Sequence, residues 1–365
     1  MKKRMLAGLL SLVFLLSGCA ALLDRDYISI TPHTATPTAE GDPSVLRVES
    51  YQELVNALIH FINQGIETGT IRLYDAEHIE TDLEAACLEV VQEAPIGAYA
   101  VEYIKYSVNP VVSYDEANVQ ITYRRTREQV ASIVSATGTT AIRSELRQAL
   151  FSFSPELVLR ISHFDGDEAY IRDLCRQAYY ATPAAALDMP EIDVFLYPDE
   201  GQQRIVEILL TYDLEPKEQD RRQTLLLAER EALSQTLRNT TGDAQLLAAA
   251  QAVLDAGGYD PQGGSTAYDA LLEGGADSQG LALAMALLCQ ELNLEVEIAA
   301  GTRDDIPHFW AVVATEHGWR HLDLTRFDQL EDPFQTDAEL AAAGYRWDRE
   351  AVPACGTPEH AETAE

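Results

Sequence analysis

Cysteine is scarce in this chain, five residues in 365. That excludes a small fold stapled by disulfides: Cys87, Cys175, Cys289 and Cys355 show no legible pairing, and Cys19 stands alone near the start. Positive charge is scarce too, with 26 Lys and Arg against 59 Asp and Glu and a formal net charge of −33 at pH 7. A surface of that sign repels nucleic acid and anionic lipid, which removes both as ligands. The apolar run from Met5 to Leu16 is too brief to span a bilayer. No His, Cys and Asp cluster has recognisable ligand spacing, so neither a metal nor another cofactor is expected. Asp304 and Asp305, adjacent in a loop, read as a solvated pair.

The start of the chain is a processing signal. Lys2, Lys3 and Arg4 precede the short apolar run, which ends in Leu16-Ser17-Gly18-Cys19. That tetrad resembles a bacterial lipobox. The resemblance implies a signal peptide over residues 1–19, cleavage before Cys19, lipid on Cys19, and a mature protein held outside the cytoplasm by a membrane anchor. Losing the three basic residues would take the net charge from −33 to −36. Residues 20–44, rich in Thr, Pro and Ala with few apolar side chains, read as a flexible tether.

Residues 45–215 carry an internal repeat, about 45–125 and 126–215. A helix near Tyr51 to Gln64, a strand near Ile71, a helix near Ile79 to Glu93 and two strands near Ala98 to Ser107 and Ala117 to Arg124 form the first half. The order then recurs, with Cys87 falling on Cys175 and Pro95 on Pro183, an offset of 88. Each half reads as α-β-α-β-β, giving an α+β fold class. After Pro216 come two helices, Lys217 to Arg238 and Asp243 to Ala256, which open a second domain over residues 216–355. A polar tail, 356–365, follows.

The second domain is organised around residues 266–327. Every residue from Leu281 to Cys289 is apolar, so this helix has no solvent-facing stripe and belongs in a core. Asp277 and Ser278 are both good cap types at its start, after a Gly274-Gly275 turn. Leu294, Val296 and Ile298 alternate with Glu295 and Glu297 as a half-buried strand. Phe309 to Ala314 and Trp319 to Thr325 read as a hairpin. A turn at Glu316-His317 places His308 and Asp323 as diagonal neighbours on one face; a turn at His317-Gly318 shifts that register by two.

These residues resemble the transglutaminase-like family of the papain-like superfamily. The family pattern is a cysteine opening a buried helix, roughly C-x-G-x-A, then H-x-W on one strand and W-x-x-x-D-x-T on the next. Here stand Ser278-Gln279-Gly280-Leu281-Ala282, His308-Phe309-Trp310 and Trp319-Arg320-His321-Leu322-Asp323-Leu324-Thr325. The resemblance implies a papain-like C-terminal domain with Ser278, His308 and Asp323 at the catalytic positions and Gln279, Trp310 and Asp277 at binding positions around them. Two departures stand out. Ser278 replaces the cysteine, and Ala311 follows the tryptophan where an asparagine is common. Cys289 is no substitute, since at a rise of about 1.5 Å per residue it lies about 16 Å along the same helix.

The serine changes the chemistry. A thiol at a helix N-terminus beside an imidazolium ionises, whereas a hydroxyl needs a general base during attack. Asp277, adjacent, disfavours a developing alkoxide. Three readings remain: a catalytically degenerate domain that binds a peptide or cell-wall fragment or serves as a scaffold; an amide or ester hydrolase or acyl transferase using Ser278, His308 and Asp323; or binding by the repeated N-terminal half.

Overall fold

The computed structural model describes residues 37–74 and 78–356, so Cys19, most of the tether and the tail from 357 lie outside the described residues. The chain divides into two compact units, residues up to 87 with 104–120, and residues 88–103 with 121 onward. Among the described residues no helix is long and apolar enough to cross a membrane.

Two strands open the fold where the sequence reading placed the end of the tether: β1 (Thr38–Glu40) and β2 (Asp42–Val48). Leu46 and Val48 are buried on either side of exposed Arg47, and that period of two draws the segment into a sheet. Ser50 then caps α1 (Tyr51–Gln64) by accepting from Glu53 N–H. β3 (Thr68–Leu73) returns parallel to β2. α2 (Ile79–Gln92) follows, then α3 (Pro95–Ala100) and the hairpin β4 (Val101–Val111) and β5 (Tyr114–Tyr123). The strand expected from Ala98 starts later because Pro95, at the first helical position, opens a helical turn.

The second half repeats the first. After α4 (Arg127–Ala131) come β6 (Val134–Ala136), α5 (Thr139–Phe151), β7 (Glu156–Ile161), α6 (Glu168–Tyr180), β8 (Glu191–Tyr197) and β9 (Arg204–Thr211). The sheet orders are β1-β2-β3-β5-β4 and β6-β7-β9-β8. The register carries the offset of 88: Val48 pairs with Leu73, and Ala136 with Ile161, both in parallel. Cap positions match as well, Gly65 (φ 65°) ending α1 and Phe153 (φ 49°) following α5, both left-handed. Each half is therefore α-β-α-β-β with a leading strand that the sequence pattern does not show, β6 being three residues long.

Helices α7 (Pro216–Leu237) and α8 (Asp243–Ala256), strand β10 (Tyr259–Gly264) and helix α9 (Ala267–Leu272) lead to α10 (Ser278–Glu291). Then come β11 (Val296–Arg303), β12 (Ile306–Thr315), β13 (Gly318–Leu322), a 3-10 turn (Leu324–Gln329), β14 (Phe334–Gln335), α11 (Asp337–Ala342) and β15 (Tyr345–Trp347). The third sheet runs β14-β13-β12-β11-β15. One apolar core extends from α5, α6 and β9 through α8 to α10 and one face of this sheet. Ala299, Trp310, Val312, Leu340, Tyr345 and Cys355 pack together on the other face.

The central helix is a buried axle, with no residue from Leu281 to Cys289 more than 2% exposed. Burying each leucine contributes about 1.5–3 kcal/mol, so the helix is fixed by its surroundings more than by its own propensity. Gly280 sets how close it sits. A Cβ there would lie 2.6 Å from Ala276 Cβ and 2.9 Å from the Thr266 carbonyl oxygen.

Candidate active site

Asp277 is the N-cap of α10, its Oδ1 accepting from Gly280 N–H at 3.0 Å. Its Oδ2 accepts from the Ser265 hydroxyl at 2.6 Å, and Gln279 Nε2 donates to the Ser265 carbonyl at 3.1 Å. Asp277 and Gln279 thus tie the helix start to the Ser265 loop. Ser278 is the first helical residue, only 8% exposed, and lies in the positive field of the helix N-terminus. Its hydroxyl oxygen accepts from Phe309 N–H at 3.2 Å and makes no hydrogen bond to His308.

The hairpin turns at Glu316-His317, with Thr315 opposite Gly318 and Ala311 opposite Leu322. Continued by one pair, this register sets Trp310 opposite Asp323 and leaves His308 diagonal to it. The second strand is shorter than expected. It stops at Leu322 because Asp323 caps the 3-10 turn, its Oδ1 accepting from Thr325 N–H at 2.9 Å.

His308 Nε2 and Asp323 Oδ2 are 2.8 Å apart, in residues 6% and 5% exposed. Burial pushes the Asp323 carboxyl up, but hydrogen bonds from His308, Tyr345 and Thr325 outweigh it and hold the group below its ordinary value. An ionised carboxylate only accepts, so Nε2 of His308 carries a proton and donates it to Asp323. The ring stacks on Trp310, with centroids 6.1 Å apart and planes 26° from parallel. Ser278, His308, Asp323 and Trp310 therefore come together. Cys289 stays deep in the helix, its thiol pushed up to about 12 by burial.

Several contributors are not legible in the motif. Tyr345 donates its hydroxyl proton to Asp323 Oδ2. Trp310 Nε1 donates to His321 Nδ1 at 2.9 Å, and His321 Nε2 lies 2.8 Å from Asp337 Oδ1. One signal was available, because His321 shares its strand face with Asp323 by the period of two. Nothing in the sequence marks Tyr345 or Asp337 as belonging here.

His321, Asp337 and Cys355 bring one potential ligand atom each within 4.8 Å of one another. The hydrogen bonding argues against a cation. An indole N–H can only donate, so Nδ1 of His321 accepts and Nε2 carries a proton directed at Asp337. A metal on Nε2 would have to displace that proton and leave an imidazolate. Burial holds His321 below the ordinary imidazole value, consistent with the neutral ring, and pushes the Cys355 thiol up to about 12.

No protein-family model and no curated protein matches the chain. Similar solved structures include a TGase, 13% identical, covering 65% of this chain and 68% of that one at a TM-score of 0.26. A candidate cysteine protease from Cytophaga hutchinsonii is 15% identical, covering 38% of this chain and 62% of its own at a TM-score of 0.23. A candidate protease from Parabacteroides distasonis is 9% identical, covering 73% and 40% at 0.22. At these TM-scores the likenesses carry no argument about the site.

Proposed function

We propose that the C-terminal part of this chain is a catalytically degenerate transglutaminase-like domain that binds a peptide or cell-wall fragment or serves as an interaction scaffold. It is carried, in this reading, on a protein anchored outside the cytoplasm through lipid on Cys19. The observation that supports degeneracy is the environment of Ser278. Its hydroxyl takes a hydrogen bond from Phe309 N–H, is not hydrogen-bonded to His308, and has the ionisable Asp277 beside it. A thiolate at that place would stand ready as a nucleophile, but a hydroxyl does not.

A second reading has one observation in its favour. With Nε2–H of His308 committed to Asp323, Nδ1 is the ring nitrogen left to serve as the base that a Ser-His-Asp hydrolase requires. Steady-state hydrolysis of p-nitrophenyl acetate separates the two. Degeneracy predicts the same slow rate for the wild type and Ser278→Ala, whereas a wild-type rate that Ser278→Ala abolishes establishes the hydrolase.

A further inference from the structure

Asp323 Oδ2 serves two donors at once. His308 Nε2–H reaches it at 2.8 Å, and the Tyr345 hydroxyl reaches the same oxygen. Tyr345 arrives from the edge strand β15, whose three residues pair with β11, Tyr345 opposite Arg303. The residue is 2% exposed. Its ring packs edge-on against His308 at 5.6 Å and against Trp310 at 5.2 Å between centroids.

The segment that supplies Tyr345 is itself fastened at both ends. Asp337 N–H donates to the Cys355 carbonyl at 2.7 Å, and Cys355 N–H donates to Asp337 Oδ1 at 3.3 Å. The same Asp337 holds His321, which holds Trp310. Residues 337–355 therefore reach the His308–Asp323 pair along two routes, one through Tyr345 and one through Trp310. Asp337, Tyr345 and Cys355 themselves lie beyond the stretch that resembles the transglutaminase-like pattern.

We propose that Tyr345 is a positioning residue that fixes the Asp323 carboxylate and sets how strongly it supports His308, with residues 337–355 forming the second half of the site. The physical step is competition at one oxygen. A tyrosine hydroxyl donating to Oδ2 draws negative charge from the atom that His308 uses, weakening the carboxylate's support for a protonated imidazole. Burial first, and then the Asp323 charge, push the Tyr345 phenol well above its ordinary value, so it stays a donor at all working pH. The other charged groups nearby are Arg303, 5.7 Å from the centroid of the Tyr345 ring, and Arg326, which also contacts Tyr345.

The proposal rests on the His308–Asp323 pair of the proposed site but not on the chemistry at Ser278. An active serine enzyme would overturn degeneracy and leave the role of Tyr345 standing. The test is a pH titration of the histidine side chains of the full chain by 1H–15N NMR, with the His308 signals assigned from His308→Gln. Tyr345→Phe keeps the ring and removes the donor, and should raise the His308 midpoint by roughly one unit. The other histidine signals should stay in place. An unchanged His308 midpoint in a folded Tyr345→Phe protein overturns the proposal. If that variant does not fold, the 13Cζ signal of Tyr345 in the wild type decides. It should remain that of the neutral phenol past pH 11, and a midpoint at the ordinary tyrosine value of about 10 overturns the assignment.

Discussion

Asp323 is held ionised by three donors inside the protein, so its charge is also a stability term. Its folded-state value is depressed, which means the stabilisation is present above the unfolded carboxyl value of about 3.9 and is lost as the pH falls through the folded one. Asp323→Asn should destabilise the protein by about 1–3 kcal/mol at pH 7. The difference from wild type in urea unfolding should shrink once the pH drops below about 4. A difference that stays constant from pH 7 to pH 3 would mean the carboxylate charge is not what the three donors stabilise. At this scale the sequence marks Ser278, His308 and Asp323, because their order and spacing follow from one helix and one hairpin. It does not mark Tyr345 or Asp337. Their contacts depend on where a short edge strand docks after the 3-10 turn, and no local periodicity encodes that placement.

Among the elements, α10 has the tightest constraint. A methyl group at Gly280 meets Ala276 Cβ and two backbone carbonyl oxygens, those of Thr266 and Gly264, at 2.6 to 3.0 Å, and backbone does not yield as a side chain tip would. Gly280→Ala should therefore cost about 1–3 kcal/mol despite alanine's better helix propensity. Thermal unfolding of that variant measures it, and an unchanged or higher midpoint contradicts the close packing. The axle was legible because nine successive apolar residues admit no exposed face. The repeat was legible through its helices and its matched cysteines, but its leading strands were not. β2 begins in Asp-Pro-Ser and β6 has only three residues, so neither shows enough alternation to stand out from a loop.

For the molecule as a whole, the formal charge of −33 and the Leu-Ser-Gly-Cys tetrad bear on where the protein works more than on how it folds. The anchor reading predicts that intact-mass measurement of protein extracted from membranes finds a diacylglyceryl adduct on Cys19. Recovery of the whole protein with no added lipid mass removes that reading and leaves the folded part unaffected. The central claim is a site with the geometry of a nucleophile and without the atom for it. Iodoacetamide labelling of Ser278→Cys tests this most directly. The buried thiols provide the baseline, since Cys87 is pushed up to about 11 and Cys175, Cys289 and Cys355 to about 12 by burial. The account predicts that the new thiol labels faster than any of these, with a midpoint below the free value of about 8.5, and that adding His308→Gln slows it. A thiol at position 278 that labels no faster than Cys289 in the folded protein contradicts the account, because the site would then be filled core.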